Sequence, residues 1–250
     1  MRRLDRRLFV RSIAGILGSF PLLAGAGAEN SPDSDKPVLD IHVHLFGTGD
    51  SGSGCTLSKA IRQKLSVKYL FRSFQEKVEQ GKTLDETYLD FLVEQVQHSG
   101  LNKVVLLAQD GVYDSSGLMD AAKTHVYVPN DYVFSVTDRH RSLFVPCPSV
   151  NPDRKDSLSE LERCAERGAR FLKIHPPIQG VDISDQKHRR FFARCAELEM
   201  IVMVHTGHEH SAPLVDKNLA DPRKLRLALE EGCVVIACHC GTGCPGEEPE

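Results

Sequence analysis

Val38-Leu39-Asp40-Ile41-His42-Val43-His44-Leu45-Phe46 is the stretch on which the fold turns. Its β-branched and aliphatic residues, with Gly47 and Gly49 behind them, read as a short buried strand. Alternate side chains of a strand share a face, so His42 and His44 point the same way. Two imidazoles one pleat apart at a strand end make half of a divalent-metal site. Taken alone, the motif is equally a strand with two hydrogen-bonded histidines. Asp40 has the same parity and is expected deeper inside, as a structural group or one supporting the ligands.

Beyond it lie a Gly/Ser loop, Gly47 to Gly54, and two helical stretches. The second opens at Thr83-Leu84-Asp85-Glu86, a capping-box pattern, and carries Leu89, Leu92, Val93 and Val96 on one face. Lys103–Asp110 reads as a second strand, Asn130–Arg139 as a helix and Leu143–Pro148 as a third strand. From there the alternation is regular. Helices at Asp153–Arg167, His188–Met200 and from Asp221-Pro222 to Gly232 separate strands at Arg170–His175, Ile201–Thr206 and Cys233–Cys240.

Apolar strands separated by amphipathic helices mean a parallel sheet with helices outside. An open doubly wound sheet and a closed (β/α)8 barrel both fit that alternation. No Gly-x-Gly-x-x-Gly turn follows the first strand, so the dinucleotide fingerprint is absent. Polar residues instead close the C-terminal ends of several strands, where barrel enzymes keep their chemistry. The expected fold is therefore α/β, of the (β/α)8 TIM-barrel type, with about six β/α units present.

His42, His44, His205 and His239 each close an apolar strand, with a glycine close behind. Imidazole suits zinc and other first-row divalent ions, and an open coordination position admits water or substrate. One such histidine is ordinarily structural; four on one sheet are hard to explain by packing, because buried histidines need partners. Lys173 and His175 lie two apart on the fourth strand and share a face. That face is either the barrel interior, where they orient substrate or a modified lysine bridges two metals, or a rim where the lysine head stays in water. His208, Glu209 and His210 add polar side chains to the mouth, where they either contact substrate or, as loops over a barrel face usually do, form a solvated loop, the favoured reading. If His239 faces the centre, Cys238 and Cys240 face outward, while Cys164 and Cys195 fall on apolar helix faces.

The chain has 250 residues, 41% of them hydrophobic, enough for a full core in one or two domains. Its net charge is −3, but the first 28 residues hold five arginines and one aspartate, so the remainder carries −7. That acidity, with no basic run beyond the N-terminus, argues against a nucleic-acid partner. Eight cysteines are too dilute for a small disulfide scaffold.

Residues 1–28 read as an export signal. Arg2, Arg3, Arg6, Arg7 and Arg11 precede an apolar stretch from Ile13 to Leu23, and Ala24 to Ala28 offer Ala-x-Ala cleavage. Asp5-Arg6-Arg7-Leu8-Phe9-Val10-Arg11 resembles a twin-arginine signal; a general secretory signal or an uncleaved anchor helix are the other readings. The expectation is an exported, periplasmic or secreted protein with the twin-arginine machinery as partner and no stable membrane anchor after cleavage. Export that persists when Arg6 and Arg7 are both lysine would contradict it. Residues 29–37 then form a polar linker and 38–250 the barrel.

Taken together, Asp40-Ile-His42-Val-His44, Val150-Asn151-Pro152, Phe171-Leu-Lys173-Ile-His175-Pro176, Val204-His205-Thr-Gly207 and Ala237-Cys-His239-Cys-Gly241 resemble the amidohydrolase superfamily. The nearer likeness is to its amidohydrolase-related branch, which includes aminocarboxymuconate-semialdehyde decarboxylase. The resemblance implies a (β/α)8 barrel holding a divalent metal, usually zinc, with His42, His44 and His205 as ligands. It makes His239 a second-metal ligand or the group that activates water. It also implies an aspartate at the end of an eighth strand. After Gly241 the sequence runs only to Glu250, so a chain lacking its last two strands and that aspartate is expected.

The function so implied is metal-dependent hydrolysis of an amide, ester or lactone bond in a small molecule. Non-oxidative decarboxylation and an inactive remnant are the alternatives. A small-molecule substrate and a homo-oligomer complete the expected partners.

Overall fold

Backbone amides that leave water must pair with one another, and apolar runs bounded by turns do so most readily as buried strands. In the computed structural model, which describes residues 37–242, all six expected strands form. They are β1 (Leu39–His44), β3 (Lys103–Leu107), β5 (Phe144–Cys147), β6 (Phe171–Ile174), β7 (Ile201–His205) and β8 (Val234–Cys238). The remaining two, β2 (Thr56–Leu57) and β4 (Val126–Tyr127), are an antiparallel ladder between loops. The export signal and nearly all of the linker lie outside the described residues.

Sheet order is β1-β3-β5 and β6-β7-β8, parallel throughout. A parallel bridge between Ser149 and Lys173 joins the halves, with the Lys173 N–H donating to the Pro148 carbonyl at 2.8 Å. The six strands therefore make one curved arc. Its ends approach closely enough to bring the His42 and His239 rings to 4.9 Å, although β1 and β8 do not pair among the described residues. The fold is α/β, a partial barrel.

The helices are α1 (Lys59–Gln63), α2 (Leu65–Gln75), α3 (Leu84–Gln97), α4 (Asn130–Arg139), α5 (Ser157–Glu166), α6 (Pro176–Gln179), α7 (Arg189–Glu197) and α8 (Arg226–Glu230). Of these, α3, α4, α5, α7 and α8 pack on the outer face of the strands, while α1 and α6 meet at the strands' C-terminal ends. α3 begins with the expected capping box between Thr83 and Glu86. Leu89, Leu92 and Val96 of α3 pack on Val104 and Leu106, while Leu161, Cys164, Phe192 and Cys195 pack on Leu172, Val202 and Val204. Burying a side chain such as Phe192, which is fully enclosed, contributes about 1.5–3 kcal/mol. Asp85, in the first turn of α3, pins the Gly/Ser loop. Its carboxylate accepts from the Thr48 and Gly49 N–H groups and the Thr48, Ser51 and Ser53 hydroxyls. Burial pushes its pKa up, but those donors outweigh burial and hold it below the usual carboxylate value.

The inner face is filled by Val105, Leu107, Cys147, Met203 and Cys238. Two side chains depart from the expected parity here. Asp40 pairs with Val104 and Val43 with Leu106, so Ile41 and His42 together oppose Val105 in a β-bulge. The bulge reverses the alternation. Asp40 thus lies exposed at the start of β1, where its Oδ1 accepts the His42 N–H at 2.9 Å, instead of sitting inside. Cys238 faces inward, not into the helix layer, because β8 ends there and His239 (φ 66°) and Cys240 (φ 53°) turn left-handed. Cys240 is exposed, and the cysteines of the described residues are all free thiols.

Candidate metal centre

The C-terminal ends of the strands bring five histidines into one continuous group. His42 and His44 leave the bulged end of β1 with their Nε2 atoms 3.2 Å apart. His239, just past β8, lies next to both His42 and His205, at ring separations of 4.9 and 4.7 Å. His205 closes β7 and stacks on His175 at 4.0 Å. The four histidines singled out from the sequence form a chain of ring contacts, His44 to His42 to His239 to His205, with His175 stacked on its end. Among the described residues the three donors gathered within 4.8 Å of one another are His175, His205 and Glu209, not His42, His44 and His205.

Local structure fixes the strand ends that carry His175 and His205. The His175 N–H donates to Gln179 Oε1 at 2.7 Å, and Gln179 Nε2 donates in turn to Ser149 Oγ, so α6 holds the end of β6. Thr206 Oγ1 donates to the Cys238 carbonyl at 2.7 Å, fastening the ends of β7 and β8 together. Gly207 then turns at φ 87°, where a Cβ would lie 2.5 Å from the Thr242 carbonyl oxygen. Only glycine fits there without displacing the neighbouring backbone.

That turn folds Glu209 back over the rings. His175 Nε2 lies 3.1 Å from Glu209 Oε2, and His205 Nδ1 lies 3.8 Å from the same oxygen. Ser211 donates its N–H to Oε1. The solvated-loop expectation holds for His208 and His210, which are exposed, and fails for Glu209, whose side chain is 8% exposed. A loop of alternating charge and imidazole looks solvated locally; the burial depends on His175, distant in sequence, and no local signal marks it.

Lys173 is completely buried, beneath the histidines and not at a rim, and Nζ has no hydrogen-bond partner. Burial pushes its pKa down, against the pull of the Cys238 and Cys147 thiols. Burial likewise lowers all five imidazoles, and the Lys173 charge adds to this in each. His44 falls to about 3 and His239 to about 4. The rings are neutral at pH 7, the form that binds metal. His205 Nε2 and His175 Nδ1 are buried without a hydrogen-bond partner. Neutral buried imidazoles with unused nitrogens suit a first-row divalent ion.

Asp110, at the end of β3, does not join this group. It pairs with Arg154 at 3.3 Å and accepts from the Asn151 and Gly111 N–H groups and from Tyr113 Oη, each at 2.8 Å. Asn151 Nδ2 bonds the Gly111 and Gln179 carbonyls, so the Val150-Asn151-Pro152 turn is a structural stitch. A cavity of about 80 Å³ opens beside His44, His175 and Glu209, walled by Leu57, Ile61 and Ile178. α1, which sequence reading did not delimit, supplies part of that wall.

A family model described as Amidohydrolase matches residues 40–243. No curated protein matches the chain. Among solved structures, an uncharacterized TIM-barrel protein from Bordetella bronchiseptica is similar at TM-score 0.53 and 17% identity, covering 81% of this chain and 66% of that one. A protein provisionally assigned as a 2-pyrone-4,6-dicarboxylic acid hydrolase, from Pseudomonas putida, gives 0.48 and 16%, covering 83% and 58%. The 5-carboxyvanillate decarboxylase of Novosphingobium aromaticivorans, with bound manganese, gives 0.45 and 15%, covering 82% and 58%. The chain thus spans 58 to 66% of the length of these structures. The first likeness supports the barrel fold.

Proposed function

The chain belongs to the amidohydrolase family, and on that premise we propose that it is a metal-dependent hydrolase of a small amide, ester or lactone. The observation that carries the proposal is the convergence of His42, His44, His175, His205 and His239 as neutral rings at one mouth of the arc. His42, His44 and His205 would hold a divalent ion, zinc by the preference of an imidazole set. When bound, that ion supplies Lewis acidity and brings the pKa of water toward about 7.

The protein's own groups do the rest. His239, depressed to about 4, stays neutral at working pH and takes the proton of the attacking water on its imidazole. It then returns that proton to the leaving group. Lys173, whose pKa burial lowers and whose Nζ has no hydrogen-bond partner, offers Nζ to a substrate oxygen, and His175 lines the wall on which the substrate lies. Leu57, Ile61 and Ile178 exclude water and favour a substrate with a compact apolar body next to the reacting carbon. The same walls favour a second reading, decarboxylation of a ring or enoic acid, since an apolar pocket destabilises a carboxylate more than the product of its loss.

The deciding experiment uses the purified full chain, stripped with chelator and reloaded with zinc or manganese. Ester, amide and lactone substrates are screened beside aromatic and enoic acids with carbon dioxide detection. Metal-dependent hydrolysis is the expected result. Carbon dioxide release without hydrolysis selects the second reading, and a chain with no bound metal and no metal-dependent turnover defeats both.

A further inference from the structure

We propose that Glu209 is the anionic ligand of the metal centre, its carboxylate entering between His175 and His205. The inference rests on the metal-dependent reading above. Among the described residues, His175, His205 and Glu209 form a group of three donors whose ligand atoms all lie within 4.8 Å of one another. An ion with bonds of 2.0–2.1 Å in tetrahedral geometry separates its donors by about 3.3 Å. Glu209 Oε2 lies 3.1 Å from His175 Nε2 and 3.8 Å from His205 Nδ1, and the His42–His44 pair measures 3.2 Å. The two contacts of Glu209 bracket the separation an ion requires.

Two further observations point the same way. His175 Nε2 and His205 Nδ1 both face the same Glu209 oxygen, while the opposite nitrogens of the two rings, His175 Nδ1 and His205 Nε2, are buried without partners, so neither ring is committed to another protein group. Charge supplies the other. A dication held by imidazoles alone keeps its full charge in a place shielded from water, which is costly, and one carboxylate halves it. Among the described residues the other buried carboxylates are committed elsewhere, Asp85 to the Gly/Ser loop and Asp110 to Arg154 and Asn151. Glu209 faces the histidines.

The loop carrying it is also held from outside. Lys64, at the junction of α1 and α2, donates from Nζ to the His210 and Ser211 carbonyls at 2.8 and 3.0 Å. With Gly207 setting the turn, the backbone on both sides of Glu209 is fixed before any ion arrives. Preorganisation of this kind lowers the ordering cost of binding.

The test is cobalt(II) binding to the full chain, followed by visible absorption and by competition with a chromophoric chelator. The expected result is that E209Q weakens cobalt about 30- to 100-fold and shifts the visible bands, while E209D retains part of the affinity. Affinity within threefold of wild type in E209Q overturns the assignment. Weakened affinity with unmoved bands overturns it too, because Glu209 then steadies a histidine and does not touch the ion. Should E209Q fail to fold, E209D is judged on the same two readouts. A wild-type chain that binds no divalent ion defeats the metal reading itself, an outcome separate from either of the others.

Discussion

Replacing His205 with alanine is expected to lower metal-dependent kcat/KM at least about a thousand-fold, a loss of about 4 kcal/mol of transition-state stabilisation. The reason is its position. His205 is the ring that touches both halves of the group, stacked on His175 at 4.0 Å and 4.7 Å from His239. Its removal takes away a donor, leaves His175 without its stacking partner and leaves Glu209 beside a void. His42→Ala, by contrast, spares the His175–His205–Glu209 side. Metal content and turnover are measured on the same preparations, with circular dichroism to show that β7 still forms. Added zinc should restore only a small part of the activity, because the vacant position cannot be refilled by concentration alone. Turnover within tenfold of wild type, with or without added metal, would remove His205 from the centre.

Much of this site was legible in the sequence, and the misses have physical causes. Runs such as Lys103–Leu107 and Ile201–His205 are apolar because both faces of a parallel strand are covered, so they were recognisable without a partner in view. The helix at Asn130–Arg139 formed over the residues expected of it. What failed was parity. Counting alternate side chains presumes an unbroken pleat, and the bulge at Ile41–His42 and the left-handed turn at His239–Cys240 each break it. The first turned Asp40 outward and the second turned Cys238 inward, while the histidines kept their places. Neither break is marked by glycine or asparagine, so no residue type announced it. Glu209 shows a different limit. Its burial depends on His175, thirty-four residues earlier, and long-range pairing leaves no local trace.

Lys173 connects these points to function. Sequence reading left open whether it sits in the interior or at a rim, and its complete burial decides for the interior. A buried amine without a hydrogen-bond partner costs stability whichever form it takes. Retaining one beneath five imidazoles makes sense if a bound substrate or ion completes its surroundings. The same amine, whenever it is charged, repels protons from the rings above it, and so helps to keep them in the form that binds metal.

The metal-free protein is expected to unfold cooperatively in acid, with its midpoint between about pH 4 and 5. The five imidazoles titrate at about 6.5 in an unfolded chain, whereas burial lowers every one of them in the fold. Between those two values the unfolded chain binds protons that the native protein refuses, so stability falls as pH falls. Above pH 6.5 both states are neutral and the effect vanishes; for His44 it runs down to about pH 3. Each such group costs about 1.4 kcal/mol per pH unit. His44 alone loses about 2 kcal/mol at pH 5, against a total stability of about 5–15 kcal/mol for a domain, and the other four rings act in the same direction. Glu209 acts in the same direction at lower pH. Burial raises its pKa, but the hydrogen bonds it accepts from His175 and Ser211 outweigh burial and hold it depressed, so its protonation also favours the unfolded chain. A divalent ion binds the neutral rings in competition with protons and should move the midpoint downward by at least half a pH unit at saturation. Acid titration followed by circular dichroism, with chelator and then with zinc, reads both effects. His175→Asn should make the acid dependence shallower by about one proton. A metal-free chain that remains folded to pH 3 would show that the rings are not held neutral by burial, and the case for a preformed metal centre would lose its electrostatic basis.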